Sequence, residues 1–210
     1  MTLYLTSTGF ENEYVAQRFK NVIIKKDIKQ ISFLVISVQD NDSDAFYLQK
    51  TKNELDKIGA INIDVFELRD EPFVPVKEYD VIYVCGGNTF VYMDRIRKTG
   101  LDKFIIDSVK SDRSIYVGVS AGSIIAGPDI TIAGGEDSND LGLVNLQGLC
   151  LTNFVIFPHY HDDLKTEVDD FRAKYGYQVY EITDEQAIRL SYSDMGALKG
   201  VISMEFVNKD

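Results

Sequence analysis

The sequence predicts an α/β fold in which a mostly parallel sheet is covered by helices on both faces. Short apolar segments of strand length alternate with longer amphipathic segments along most of the chain. Glycines and prolines mark the junctions between these segments. The chain has 210 residues, of which 45% are hydrophobic, and this is enough for one hydrophobic core. We therefore expect residues 1–210 to form a single domain.

The first half of the chain contains four predicted strands, and helical sequence follows the first, second and fourth of them, whereas Pro72 and Pro75 break regular structure after the third. The strands are apolar runs of the kind that a parallel sheet buries on both faces, and the helices carry apolar residues at helical spacing. Gly59 and Gly100 are predicted helix stops. The predicted strands are 3–7, 31–38, 61–68 and 79–85. The first predicted helix is 12–26, and the second follows the turn at 39–44 and ends at about residue 58. The last two predicted helices are 90–98 and 101–110.

The second half begins with an apolar strand at 115–117 and small residues at 121–126 that favour a helix. Residues 128–145 lack periodicity and are rich in Gly, Asp and Asn, which predicts a long surface loop. A strand at 154–157 and a helix at 164–175 follow. From residue 179 onward the pattern predicts an antiparallel tail with strands at 179–182, 186–192 and 201–207 and turns at Ser193-Asp194 and Lys199-Gly200.

The net charge and the distribution of apolar residues limit the possible binding partners and the cellular location. A formal net charge of −11 disfavours binding to nucleic acid or to an anionic membrane, because both require cationic patches. No apolar run approaches about 18 residues, and the start lacks a basic leader segment, so we expect a cytoplasmic protein with no membrane partner. Cys85 and Cys150 lie in apolar stretches, which is typical of buried side chains. A homodimer is compatible with the sequence.

The pattern G-V-S-A-G predicts a nucleophile elbow, a sharp turn from a strand into a helix. Ser120 is flanked two residues away by Gly118 and Gly122, and so tight a turn has no room for side chains there. The serine hydroxyl would project above the sheet edge as a nucleophile, and the N–H of Ala121 could stabilise an oxyanion. A glycine-rich turn that serves only helix packing is the alternative.

A second glycine-rich turn, G-G-N-T, follows the fourth predicted strand. It lies at the carboxyl end of that strand, which in a parallel sheet is the rim that also carries Ser120. The N–H of Gly87 would complete the oxyanion hole with that of Ala121. Asn88 and Thr89, the next residues in the turn, are the predicted substrate contacts. A tight turn without a binding role is the alternative.

A serine nucleophile needs a base, and the chain contains only His159 and His161. Both follow the strand at 154–157, whose carboxyl end would share a rim with Ser120 if the sheet is parallel there. His159 is nearer the strand end and is the predicted base. A metal site formed with the two aspartates that follow is the alternative, but no second ligand cluster exists and these aspartates fit a helix cap. We expect neither a metal nor a cofactor.

Three blocks in this order resemble the peptidase E family of serine peptidases, which belongs to the class I glutamine amidotransferase-like superfamily. They are G-G-N-T-F ending at Phe90, G-V-S-A-G-S starting at Gly118, and F-P-H-Y at Phe157–Tyr160, and together they span roughly half of the chain. The resemblance implies a flavodoxin-like three-layer sandwich with a mostly parallel central sheet and a small antiparallel C-terminal portion. The more distant cyanophycinases share the elbow, but this chain is shorter than they are.

The resemblance also implies an aspartyl dipeptidase-like hydrolase in which Ser120 is the nucleophile and His159 the general base. The family's third catalytic residue is an acid in the loop after the elbow. Counting forward from Ser120 leads to Gly135, whereas counting back from the histidine leads to Asp137. We choose Asp137, since a carboxylate that accepts the histidine's other N–H would orient the ring, and Glu136 and Asp140 are the alternatives.

The family holds the aspartate side chain of its substrate with a basic residue beyond the histidine, and the candidates here are Lys165, Arg172 and Arg189. The sequence thus predicts a serine-type peptidase of short peptides, with dipeptides carrying N-terminal Asp as one substrate class. The reaction would pass through an acyl-enzyme on Ser120. A non-peptidase esterase or amidase with the same machinery is one alternative. A catalytically inactive ligand-binding relative is the other.

Overall fold

The computed structural model describes residues 1–24, 31–40, 42–192 and 203–208, and its strands form a seven-stranded sheet and a two-stranded sheet. Most strands coincide with apolar runs seen in the sequence. In chain order they are β1 (Thr2–Thr6), β2 (Ser32–Ser37), β3 (Asn62–Glu67), β4 (Val81–Val84), β5 (Ile115–Val119), β6 (Val155–Phe157), β7 (Val179–Glu181), β8 (Ala187–Ser191) and β9 (Ser203–Val207).

The helices begin and end close to the predicted signals. Gly100 separates two of them, and its φ of 75° is the left-handed conformation that ends a helix. The helix after the elbow is shorter than predicted, with only four residues. In chain order the helices are α1 (Glu13–Ile24), α2 (Asp42–Lys57), α3 (Thr89–Thr99), α4 (Leu101–Lys110), α5 (Ala121–Ile124) and α6 (Lys165–Tyr175).

The large sheet has the strand order β3-β2-β4-β5-β1-β8-β9. Strands β1 to β5 pair in parallel, whereas β8 is antiparallel to β1 and β9 is antiparallel to β8. The predicted α/β class, with a mostly parallel sheet and an antiparallel C-terminal portion, is therefore confirmed. Because β4, β5 and β1 are neighbours, the segments that follow them meet on one rim.

The small sheet corrects the prediction of a wholly antiparallel tail. β6 and β7 pair in parallel, with Val155 opposite Val179 and Phe157 opposite Glu181. The reason is that α6 connects them as a crossover, which returns the chain in the same direction. The turns predicted at Ser193-Asp194 and Lys199-Gly200, and the end of the first predicted helix at residue 26, lie outside the described residues.

Helices cover both faces of the large sheet and give three layers. On one face the apolar sides of α1 and α2 pack against alternate residues of the strands, such as Val81 and Tyr83. On the other face α3, α4, α5 and α6 pack against the intervening residues, such as Ile82 and Val84. This alternation follows from the two-residue period of a strand. Among the described helices, none combines the length and the apolar character needed to cross a bilayer.

The segment after the elbow is less exposed than predicted. Ile130, Ile132 and Ala133 are buried in the core, and residues Thr131–Gly135 form a short 3₁₀ turn. The sequence shows no periodicity here because a single turn, rather than a helix or strand, places these apolar side chains inward. From α3, the guanidinium of Arg97 donates a hydrogen bond to the Asn145 carbonyl at 2.6 Å. This segment is therefore fixed to the fold at both ends.

Candidate active site

Ser120 occupies the turn between β5 and α5 with φ 49° and ψ −111°, a conformation that residues other than glycine rarely adopt. A Cβ placed on Gly118 would lie 2.5 Å from the carbonyl oxygen of Gly122. A Cβ placed on Gly122 would lie 2.4 Å from the carbonyl oxygen of Val84. Both positions therefore require glycine, and the local geometry is that of a nucleophile elbow.

Strand β1 holds the elbow through hydrogen bonds of its last residue, Thr6. The N–H of Ser120 donates to the carbonyl of Thr6 at 3.0 Å. The N–H of Thr6 in turn donates to the hydroxyl of Ser123 at 2.9 Å, and the Thr6 hydroxyl donates to the Gly118 carbonyl at 2.9 Å. Thr6 is buried at the end of β1, so the strained turn is fixed by a rigid neighbouring strand.

His159 follows β6 and reaches the serine, with Nε2 lying 2.9 Å from the Ser120 hydroxyl oxygen. Its φ of 55° is also left-handed, which is unusual for histidine. Two backbone–backbone hydrogen bonds help to fix the segment that carries it. The N–H of Tyr160 donates to the Ile182 carbonyl at 3.1 Å, and the N–H of Ile182 donates to the Phe157 carbonyl at 2.9 Å. The parallel β6–β7 contact thus positions the ring.

The carboxylate beside His159 is Asp184, which lies just beyond β7. Its Oδ1 is 2.7 Å from Nδ1 of the ring. Burial opposes ionisation of Asp184, but hydrogen bonds from Ser7 and His159 outweigh it and hold the pKa of this carboxyl below its ordinary value. Because Asp184 is ionised at neutral pH, we assign the ring proton to Nδ1, which leaves Nε2 free to accept the proton of the Ser120 hydroxyl.

Ser7, at the end of β1, joins the histidine and the acid. Its hydroxyl donates to Oδ1 of Asp184 at 2.7 Å and accepts the backbone N–H of His159 at 2.8 Å. The Ser7 side chain is fully buried, whereas Asp184 and His159 are exposed, so Ser7 holds both residues from the protein side. Sequence analysis missed Ser7 and Asp184. The available signal was their position at or just beyond the carboxyl end of a predicted strand, close to the position that singled out Ser120 and His159.

Asp137, the acid predicted to orient the histidine, does not make that contact. Its Oδ2 accepts the backbone N–H of Thr89 at 2.8 Å. Of the two alternatives, Asp140 accepts the hydroxyl of Ser138 at 2.8 Å, and Glu136 is exposed at the edge of the site. Asp184 takes this place because β6 pairs with β7, and this pairing brings the residue that follows β7 beside the residue that follows β6.

The predicted oxyanion donors lie near the nucleophile. Gly87 has φ 144°, which requires glycine, and a Cβ on the preceding Gly86 would lie 3.5 Å from the Cβ of Ser120. In the described part of the chain, neither the N–H of Gly87 nor that of Ala121 donates to a protein acceptor. Both N–H groups therefore remain available for an oxyanion at Ser120.

The two predicted substrate contacts have other partners in the structure. The Asn88 side chain accepts hydrogen bonds from the first turn of α3 at 3.0 Å and donates to the Ser138 carbonyl at 2.9 Å. Thr89 is fully buried, and its backbone N–H is bound by Asp137. Because the Asn88 side chain is already occupied and the Thr89 side chain is inaccessible, both residues support the turn rather than face a ligand.

A cavity of about 350 Å³ opens at Ser120 and His159. Lys50 is the only lysine or arginine among its described lining residues, and its ammonium group pairs with the Glu11 carboxylate. Glu54 also lines the cavity, and burial raises the pKa of its carboxyl. A larger groove of about 1020 Å³ adjoins this cavity but includes neither Ser120 nor His159. Asp184 lines this larger groove, whereas the smaller cavity contains the serine hydroxyl and the imidazole.

The three cations considered for binding an aspartate lie in ion pairs elsewhere. Lys165 pairs with Asp169, Arg172 with Asp169 and with the Glu181 carboxylate at 2.8 Å, and Arg189 with Glu205 at 3.4 Å. None of the three lines the cavity at Ser120. The sequence prediction placed the substrate-binding cation after His159 in the chain. Lys50 instead comes from α2, well before the histidine.

The second histidine is not part of this arrangement. His161 contacts the Asp163 carboxylate two residues later and does not line the cavity. Across residues 1–24, 31–40, 42–192 and 203–208, no group of three or more His, Cys, Asp or Glu side chains could hold a metal ion. The groups assembled at the cavity are a hydroxyl, an imidazole, a carboxylate and free backbone N–H groups, which suit acyl transfer.

Comparison with known proteins gives the family. The sequence model of peptidase family S51 matches residues 3–197. An uncharacterized peptidase of Listeria monocytogenes is 31% identical over 68% of this chain and 73% of its own length. Peptidase E of Streptomyces coelicolor is 28% identical over 63% of this chain, which spans 52% of that relative. A solved structure of a candidate peptidase E protein from Listeria monocytogenes EGD-e has a TM-score of 0.79 and 25% identity, covering 100% of this chain and 98% of that one. The chain therefore belongs to peptidase family S51 and is an enzyme of the peptidase class.

Proposed function

We propose that the protein is a serine-type peptidase that cleaves short peptides through an acyl-enzyme on Ser120. The observation that carries this proposal is the continuous chain from Ser120 Oγ to His159 Nε2 at 2.9 Å and from His159 Nδ1 to Asp184 Oδ1 at 2.7 Å. A nucleophile, a base within hydrogen-bond reach and a carboxylate that orients the base are the three parts of a serine hydrolase triad.

In the acylation half, the hydroxyl oxygen of Ser120 bonds to the carbonyl carbon of the scissile peptide while Nε2 of His159 takes the hydroxyl proton. The carbonyl oxygen becomes an oxyanion, which the N–H groups of Gly87 and Ala121 stabilise. The imidazolium then gives its proton to the departing amine, and the C–N bond breaks. Asp184 stabilises the imidazolium that forms between these two proton transfers.

In the deacylation half, water replaces the departed amine. His159 accepts a proton from the water as its oxygen bonds to the acyl carbon, and the same oxyanion hole stabilises the second tetrahedral intermediate. The imidazolium returns the proton to Ser120 as the ester bond breaks, which releases the carboxylic acid and restores the free enzyme. No group outside the described site is needed to balance this sequence of steps.

The size of the cavity favours short peptides. Its volume of about 350 Å³ lies at the lower end of the range of about 300–1,000 Å³ that is usual for small-molecule sites. A folded protein chain would have to unfold locally to bring a peptide bond to Ser120, since the serine is partly buried. Dipeptides and similarly short peptides need no such rearrangement.

A test of the proposal is to measure release of amines from a panel of dipeptides together with hydrolysis of an activated ester. We expect dipeptide turnover, and with the ester a burst of leaving group equal to the enzyme concentration if deacylation is the slower step. Turnover of esters without turnover of peptides would identify an esterase instead. Failure of well-folded protein to act on either would favour a ligand-binding relative.

A preference for N-terminal aspartate is the finer part of the proposal, and within the described cavity it depends on Lys50. We expect Lys50→Met to lower kcat/KM for Asp-X dipeptides about 10- to 100-fold more than for Ala-X dipeptides, because a charge-assisted contact to the substrate carboxylate is lost. Lys165→Met is the matched control, since Lys165 pairs with Asp169 outside the cavity. If the ratio of kcat/KM for Asp-X to kcat/KM for Ala-X is unchanged in Lys50→Met, Lys50 does not bind the side chain of the substrate's N-terminal aspartate.

A further inference from the structure

We infer that Asp137 is a positioning residue for the oxyanion hole, an inference that rests on the proposed serine mechanism. Its Oδ2 accepts the N–H of Thr89 at 2.8 Å. Thr89 is the first residue of α3 and stands two residues after Gly87, which supplies one of the proposed oxyanion donors. Asp137 thus binds the turn that carries the donor, whereas Asp184 binds the catalytic histidine.

The first turn of α3 controls where the Gly86-Gly87 peptide lies. The hydroxyl of Tyr92, within that turn, lies 3.3 Å from the Gly86 carbonyl oxygen and can donate to it. A Cβ on Gly87 would lie 3.1 Å from the edge of the Tyr92 ring, so the glycine packs closely on this side chain. A displacement of the start of α3 would therefore be transmitted to the amide of Gly87.

Asp137 is itself presented by a rigid support. Its N–H donates to the Ala133 carbonyl at 2.8 Å, and Ile132 and Ala133 are buried in the core. A second bond joins the same two segments, since the Asn88 side chain donates to the Ser138 carbonyl at 2.9 Å. The carboxylate also lies at the N-terminus of the 11-residue helix α3, where the helix dipole favours a negative charge. The buried 3₁₀ turn thus fixes, through Asp137, the turn at residues 86–89 that carries the N–H of Gly87.

A helix cap and an oxyanion support make different predictions about catalysis. A cap contributes to the stability of α3 and leaves the chemical step unchanged. A support of the oxyanion hole acts in the transition state, because the donor must meet the oxyanion and not the ground-state carbonyl. Its loss should lower kcat while KM stays nearly constant, and it should equally slow the reaction of Ser120 with a fluorophosphonate, whose phosphoryl oxygen occupies the same hole.

The experiment compares Asp137→Ala and Asp137→Asn with the full-length wild-type protein. For Asp137→Ala we expect kcat and the labelling rate to fall about 10- to 100-fold, the effect of a misplaced donor. KM should change by less than about threefold, and the pH profile of kcat/KM should keep its shape. Asp137→Asn should stay within about threefold of wild type, because its amide oxygen can accept the same N–H. Asp140→Asn, in the same loop but without contact to α3, should behave as wild type.

Two results would overturn the inference. One is an Asp137→Ala protein with wild-type kcat and labelling rate. The other is an Asp137→Asn protein as impaired as Asp137→Ala with an altered pH profile, since that would make Asp137 a proton-transferring group. If Asp137→Ala does not fold, Asp137→Ser takes its place, because its shorter side chain also lacks the reach to Thr89. A wild-type protein that neither reacts with the label nor cleaves peptides would overturn the proposed function together with this inference.

Discussion

Replacing Asp184 by asparagine is expected to lower kcat by a factor on the order of 10³ to 10⁴. Because the pKa of Asp184 is lowered, its carboxylate is charged at neutral pH. The negative charge is lost only when the pH falls through that lowered pKa. Asparagine removes the charge that stabilises the imidazolium and can donate to Nδ1, which would leave the ring in the wrong tautomer for accepting the Ser120 proton. Steady-state kinetics at neutral pH with a dipeptide substrate measures the effect.

The matched comparison for this prediction is Asp137→Asn, which changes another carboxylate at the same rim. We expect a small effect there, because Asp137 binds a backbone N–H and makes no contact with the ring. Far-UV circular dichroism and the Tm of both variants control for folding. An Asp184→Asn protein with kcat near wild type would mean that Asp184 does not orient His159, and the assignment of the acid would have to be withdrawn.

Replacing Gly122 by alanine is expected to destabilise the fold by about 3 kcal/mol, which corresponds to a fall in Tm of about 6–12 °C for a chain of this length. The new Cβ would lie 2.4 Å from the Val84 carbonyl oxygen, and Val84 belongs to a buried strand of the sheet that cannot move aside cheaply. The elbow would have to shift away from β4. Activity should fall with it, because Ser120 would leave the position that His159 reaches.

Gly134→Ala is the control for the elbow glycine. Gly134 lies in the 3₁₀ turn after the elbow, and a Cβ there would have no neighbour within 4 Å. We expect its Tm to stay within a few degrees of wild type, since an exposed substitution without a clash usually changes stability by less than about 0.5 kcal/mol. Equal Tm values for Gly122→Ala and Gly134→Ala would contradict the close packing of the elbow against β4.

The elbow could be predicted from the sequence because its requirements are local. The spacing of Gly118, Ser120 and Gly122 encodes both the strained turn and the absence of side chains around it, and no distant contact is needed to recognise it. His159 could be found because the chain has few histidines and because it follows a strand. Composition and local geometry were therefore enough to predict the nucleophile and the base.

The acid could not be predicted because its position depends on a contact between distant segments. Asp184 reaches His159 only because β6 and β7 pair in parallel, and the sequence of the tail shows alternation without showing which strand pairs with which. Ser7 reaches Asp184 because β1 pairs with β8, which places Thr6 opposite Ala187, and this pairing also belongs to the tertiary fold. Asp137 was chosen from the family's pattern, and in the structure its carboxylate binds the backbone N–H of Thr89 instead.

The central claim is that Ser120 is a nucleophile activated by His159, and labelling with a fluorophosphonate tests it most directly. Peptide mass spectrometry of the treated wild-type protein should show one phosphonyl group per chain, located on Ser120. Labelling should be absent in Ser120→Ala and strongly slowed in His159→Ala. If the folded wild-type protein is unlabelled, or if the label is found on another residue while Ser120 stays free, the account of this site as a serine peptidase is contradicted.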